Sequence, residues 1–294
     1  MRKISLSIIT LILLLTFSII CEAGYPLKIV DDMNYCTEIT DKPMRIVSLS
    51  PSHTEVLFAL GVSDRIVGRT DFCDYPDATK NVTSVGGYSQ PSLESIMVVQ
   101  PDLVIASFGT AQELLDQLRE LGIKVVGYNP NTLDDVLSHI WEIGKITGAE
   151  QKAADLIDDM RVRIDKVKEK VRGANRPLVF WEVWHDPLYT AGPGSYIDDL
   201  ISIAGGVNLA SDADTPWPVY SLEVLLVKNP EIYIATKDQW SGPGNIHERP
   251  GYDQIDAIKK DQVFIIDANN VNRPGPRLVD GLETIFRLIH PQLF

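Results

Sequence analysis

The sequence predicts an α/β protein of two similar Rossmann-like lobes, each built on a central parallel sheet and joined by one long helix. Three observations predict it. Between Gly148 and Gly173, residues Ala153, Leu156, Met160, Ile164, Val167 and Val171 recur at steps of three and four, the apolar stripe of an amphipathic helix. Asp159 stands four residues before Arg163, the favourable order for a helical ion pair. No glycine or proline interrupts residues 149–172, and about 24 helical residues would run roughly 36 Å, longer than an ordinary crossover. The second observation is an internal repeat. Pro91–Ser107 (PSLESIMVVQPDLVIAS) aligns without a gap on Tyr220–Thr236 (YSLEVLLVKNPEIYIAT) at an offset of 129 residues. The third is that strand-like and helix-like segments alternate on both sides of the long helix, the pattern of parallel sheets.

The expected organisation is a leader at 1–23, an N-terminal lobe at 24–148, the helix at 149–172 and a C-terminal lobe at 173–294. Arg2 and Lys3 precede the apolar run Ile4–Ile20, and Cys21-Glu22-Ala23 offers small residues where a signal peptidase reads. That pattern predicts export and cleavage after Ala23, hence a periplasmic or extracytoplasmic protein. The 17-residue run leaves a retained anchor as the alternative, and a lipid anchor at Cys21 is less favoured because bulky Ile20 precedes it.

Gly24–Lys42 is polar and turn-rich and reads as a lead-in. Arg45-Ile-Val-Ser-Leu-Ser is a buried strand, and Val56–Gly61 a helix ended by glycine. Ile66-Val-Gly is a short strand before a long loop, Arg69–Tyr88, whose Phe72, Tyr75 and Tyr88 make it a candidate binding loop. The first repeat copy then reads as a short helix opened by Ser-x-Glu, a proline that stops it, and a buried strand. Helices at Ala111–Leu121 and Leu133–Thr147 flank a strand at Val125-Val-Gly. Past the long helix come a strand at Leu178–Val183, a loop of Trp184 to Pro187, a helix Tyr196–Ile203, and a loop carrying Pro216-Trp217-Pro218. The second repeat copy, the glycine- and proline-rich stretch 240–252, a strand Val263-Phe-Ile-Ile, a loop with Arg273 and Arg277 and a helix Leu278–Ile289 complete the chain.

Apolar residues at 45% and charged residues at 23% are ordinary for a soluble globular chain. The formal charge is −13, and −14 once Arg2, Lys3 and Glu22 leave with the leader, which argues against nucleic acid or an anionic lipid surface as partner. After that cleavage only Cys36 and Cys73 remain, and in an oxidising compartment they are candidates for a disulfide; the alternative is two unrelated small residues. The five histidines are scattered singly, so no metal site is expected.

Arg45-Ile-Val-Ser-Leu-Ser-Pro, Thr54-Glu55, the Ser-Leu-Glu…Pro-Asp-Leu-Val motif at 92–104, Ala204-Gly-Gly-Val-Asn208 and the second Ser-Leu-Glu closely resemble substrate-binding proteins of ABC importers. The class is the one whose lobes are bridged by a single rigid helix. Within it, Asp74-Tyr75-Pro76 and Pro216-Trp217-Pro218 look like the vitamin B12 (corrinoid) binders, while other relatives bind ferric siderophores or haem. The resemblance implies a monomer with no resident cofactor that captures a small-molecule corrinoid between its lobes. It implies a cleft formed by Phe72 and Tyr88 from the first lobe and Trp217, Asn269 and Arg273 from the second, a set that suits a wide apolar ring fringed with amides. Ser107 stands where the best-known corrinoid binder has a tryptophan, and Asn269 where it has an aspartate. The resemblance also implies that Glu94 and Glu223, equivalent in the two repeat copies, dock the protein on a dimeric membrane permease. An acid in the first turn of a helix also offsets the helix dipole, which is the simpler reading of each alone.

An enzyme is the rival class. Ser52-His53 could serve hydrolysis, but neighbouring loop residues rarely point together, and no Gly-x-Ser-x-Gly or Gly-x-Gly-x-x-Gly pattern is present.

Overall fold

Both copies of the repeat fold into the same unit because the same side chains do the same local work in each. The computed structural model describes residues 24–239 and 242–293; the expected leader, with Cys21, lies outside the described residues. The chain begins with β1 (Leu27–Val30) and β2 (Cys36–Ile39), then β3 (Ile46–Ser48), α1 (Pro51–Ala59), β4 (Ile66–Arg69), α2 (Leu93–Val98), β5 (Leu103–Ser107), α3 (Gln112–Glu120), β6 (Lys124–Tyr128) and α4 (Leu133–Thr147). The helix α5 (Glu150–Lys170) follows, and then β7 (Leu178–His185), β8 (Leu188–Thr190), α6 (Tyr196–Ile203), β9 (Val207–Asn208), α7 (Leu222–Lys228), β10 (Ile232–Lys237), α8 (Asp256–Lys259), β11 (Val263–Asp267) and α9 (Leu278–Ile289).

In the first copy Ser92 Oγ accepts from the Ser95 N–H at 3.2 Å, and in the second Ser221 Oγ accepts from the Val224 N–H at 3.2 Å, so each short helix is opened by a side-chain cap. Ile96 and Leu225, at equivalent positions, are fully buried. Gln100 and Asn229 then both take positive φ, turning the chain toward the following strand. The matched acids have one role as well. Asp102 accepts from the backbone N–H groups of Met44 and Arg45, ahead of β3, and Glu231 accepts from Leu178 at the start of β7. Each carboxylate thus ties its own strand to the strand beside it, as β5 pairs with β3 and β10 with β7.

The first lobe holds a parallel sheet in the order β4-β3-β5-β6. The second holds β11-β10-β7-β8, in which β10 is parallel to both β7 and β11, β8 runs antiparallel to β7, and β9 pairs with β7. The stretch expected as an irregular lead-in is a β1–β2 hairpin, anchored by Asp31, whose carboxylate accepts from the Gly127 N–H at 2.8 Å. The segment expected as a loop at Trp184 and His185 is instead the end of β7, paired with β8.

Gly148 closes α4 at φ 62°, in the left-handed region where glycine carries no Cβ penalty, and α5 starts after Ala149. At 21 residues α5 is about 32 Å long, slightly shorter than the sequence pattern implied. Its buried stripe is Ala153, Ile157, Met160, Ile164 and Val167. These side chains join one continuous apolar core that reaches Ile46 and Leu103 in the first lobe and Trp181, Ile234 and Leu282 in the second. The expected Asp159–Arg163 pair does not form. Arg163 reaches across to α9 instead, with Nε 2.9 Å from Glu283 Oε1 and Nη2 2.5 Å from Asp280 Oδ1, because two carboxylates on a packed neighbour outcompete one on the helix's own surface. The helix is bonded sideways to the second lobe.

The candidate disulfide is also absent. Cys36 is exposed on β2, whereas Cys73 is buried in the first lobe with its Sγ 3.1 Å from Thr54 Oγ1 and 3.2 Å from Thr70 Oγ1. Burial pushes the Cys73 thiol up, so it stays protonated among hydroxyl partners.

Candidate functional site

Parallel strands leave their carboxyl ends as the natural place for a ligand, and a cavity of about 510 Å³ lies there between the lobes. From the first lobe, Ser50, Ser52 and His53 follow β3, Ser107 ends β5 with Phe108 beyond it, and Tyr128 ends β6 with Asn129 beyond it. Phe72 and Tyr88 enter from the long loop after β4. From the second lobe come Tyr196 at the start of α6, Asp238 after β10, and Asn269, Asn272 and Arg273 after β11.

Tyr88 is positioned by two features. Its hydroxyl hydrogen-bonds Ser107 Oγ at 2.9 Å, so this serine at the end of β5 holds the aromatic ring in place. Gly109 lets the ring lie against the backbone, since a Cβ there would come within 2.4 Å of the Tyr88 ring. Phe72 is 40% exposed and Phe108 74%, and both line the cavity. Asn269 is half-buried and donates from Nδ2 to Asp267 Oδ1 at 3.0 Å.

Trp217 does not line the cavity. It meets Tyr196 edge-on, with ring centroids 5.7 Å apart, and Tyr196 forms the wall. The sequence reading also missed His53, Phe108, Tyr128 and Tyr196. Each sits next to the carboxyl end of a strand or at the start of a helix, so strand order would have pointed to them; residue type alone would not.

Arg273 lines the cavity but is already occupied. Its Nη1 lies 2.5 Å from Asp74 Oδ1 and 3.5 Å from Glu55 Oε1, both in the other lobe. Partial burial would raise the Asp74 carboxyl, but the hydrogen bond and charge of Arg273 outweigh it and hold that carboxyl below its ordinary range. Beside it, Arg277 grips Glu55 and carries the Tyr75 ring 4.0 Å from its guanidinium carbon. This ionic cluster links the two lobes beside the cavity.

His53 is buried, and its Nδ1 has no hydrogen-bond partner. Burial first, and then the nearby His139, drive its pKa down to about 3, so the imidazole facing the cavity is neutral at any physiological pH. Ser52 Oγ hydrogen-bonds Ser50 Oγ at 2.8 Å and makes no bond to His53. Among the described residues no group of three or more His, Cys, Asp or Glu side chains converges on a metal position. No helix among them is long and apolar enough to cross a membrane.

Glu94 and Glu223 are exposed in the first turns of α2 and α7, away from the cavity lining. Glu223 sits below its ordinary carboxyl range, through its own backbone N–H and then the Ser221 hydroxyl.

The chain is 32% identical over 278 residues to the ABC transporter substrate-binding lipoprotein YvrC of Bacillus subtilis, covering 92% of this chain and 87% of that one. Its fold superposes on the periplasmic vitamin B12 binding protein BtuF of Vibrio cholerae with a TM-score of 0.74, 26% identity and coverage of 85% and 97%. It superposes on the periplasmic heme-binding protein RhuT of Roseiflexus with a TM-score of 0.76, 26% identity and coverage of 85% and 99%. The periplasmic binding protein family profile matches residues 46–270, and with two lobes, one bridging helix and a cleft at the strand ends, this chain belongs to that family of ABC importer substrate-binding proteins.

Proposed function

We propose that this protein captures a corrinoid in the interlobe cleft outside the cytoplasm and delivers it to the permease of an ABC importer. The observation that carries the reading is the state of Arg273. Among the described residues lining the cavity it is the one Arg or Lys side chain, and Asp74 and Glu55 neutralise it. A ligand bearing carboxylates, such as haem or an anionic ferric siderophore, would find no free cation there. A corrin ring fringed with neutral amides needs none: the rings of Phe72, Tyr88, Phe108 and Tyr196 offer flat apolar contact, and Asn129, Asn269 and Asn272 can exchange hydrogen bonds with amides. Trp217 supports the wall through Tyr196.

Glu94 and Glu223 serve as the two permease contacts, one on each lobe, where charge complementarity fixes orientation and speeds encounter. Calorimetry with cyanocobalamin, dicyanocobinamide, haemin and a ferric catecholate tests the ligand. Binding of either corrinoid, with haemin and the catecholate inert, is the expected result. Haemin or the catecholate binding while both corrinoids fail assigns the cleft to the haem or siderophore branch.

A further inference from the structure

Val98 and Val227 stand at the same position of the two repeat copies, 129 residues apart. With relative exposures of 75% and 86% they are the most exposed large hydrophobic side chains among the described residues. Each follows an exposed acid by four residues, Glu94 and Glu223, so helical geometry sets acid and valine on one face of α2 and of α7, one turn apart. Met97, at 38%, extends the patch on the first lobe, and Val224, at 42%, extends it on the second. A scattered exposed valine on a surface is ordinary. The pair is not scattered: the serine cap, the buried Ile96 or Leu225 and the left-handed exit at Gln100 or Asn229 hold both helices in the same attitude. Around it the copies have diverged, with Ser95 against Val224 and Val99 against Lys228.

We propose that Val98 and Val227 are the apolar halves of two equivalent docking points, each acid–valine pair seated on one half of the dimeric permease. The inference rests on the reading that Glu94 and Glu223 face that permease. A partner with two equal surfaces is the occupant a patch duplicated in register calls for, each surface offering a cation to the carboxylate and an apolar socket to the valine. The carboxylates act at long range and set the encounter, and the valines lose water only on contact and prolong the complex.

The test places the photo-crosslinking residue p-benzoylphenylalanine at position 98, at position 227 and, as a control, at Val162, which is 54% exposed on α5. Irradiation is done with the full-length protein in its native host, and adducts are identified by mass spectrometry. Adducts to the membrane-spanning permease subunit from 98 and 227 but not from 162 are expected; adducts from neither overturn the proposal. In parallel, V98S/V227S and E94Q/E223Q are compared for co-purification of that permease. Retention by V98S/V227S at least tenfold below the unsubstituted protein, with the thermal midpoint unchanged, is expected. If V98S/V227S retains the permease normally and E94Q/E223Q does not, the valines are overturned and the acids stand. If both retain it normally, both readings fall. Neither readout requires the ligand to be a corrinoid.

Discussion

Arg277 and Glu55, 222 residues apart in the chain, form a two-pronged ion pair across the lobes: Nε is 2.8 Å from Oε2 and Nη2 2.6 Å from Oε1. The Glu55 side chain is 2% exposed, and Arg277 and Arg273 supply the ionic partners that a buried acidic side chain needs. Glu55→Ala leaves Arg277 without its carboxylate partner and Arg273 with Asp74 alone, and should cost about 3 kcal/mol of stability in urea unfolding, whereas Glu55→Gln should cost less because it keeps a hydrogen-bonding group.

The core runs unbroken from one lobe through α5 to the other, and Arg163 bonds the helix to α9. Such a spine should limit the lobes to small hinge and twist motions. Solution scattering with and without saturating ligand should give nearly the same radius of gyration, and a marked compaction on binding would sink this.

On the corrinoid reading, Phe108→Ala removes an open aromatic face and should weaken binding by roughly 1–3 kcal/mol. Trp217→Ala should cost less, since Trp217 acts on the cavity through Tyr196. Calorimetry ranks the two, and the reverse order would mean that Trp217 turns inward when ligand binds.

The neutral His53 makes stability depend on pH. Its pKa is about 3 in the fold against 6.5 for the free side chain, so below pH 6.5 the unfolded chain takes up a proton that the folded chain refuses. Stability should fall progressively as pH drops from 6.5 toward 3, by on the order of a few kcal/mol in total. His53→Asn should flatten that part of the profile in urea midpoints measured between pH 7 and pH 4; an unchanged slope would show that His53 protonates without unfolding.

The thiol arrangement is checked with a chromogenic disulfide. Cys36 should react in the native protein, and Cys73 only after denaturation.

The sequence by itself determined what depends on a few neighbouring residues. Caps at Ser92 and Ser221, the stop at Pro101 and Pro230, the stripe from Ala153 to Val167 and the alternation of strand with helix are read over distances of a turn or two, where propensity and periodicity act. The repeat added long-range information because two copies of one local code imply two copies of one unit. Which groups meet was decided by the tertiary structure alone. Arg163 turns from Asp159 to Asp280 and Glu283, Arg273 is taken by Asp74 and Glu55, and Cys73 packs among threonines far from Cys36. Tyr196 lines the wall while Trp217 meets it edge-on. In each case side chains compete for partners, and the outcome depends on distances that only strand order and lobe packing establish.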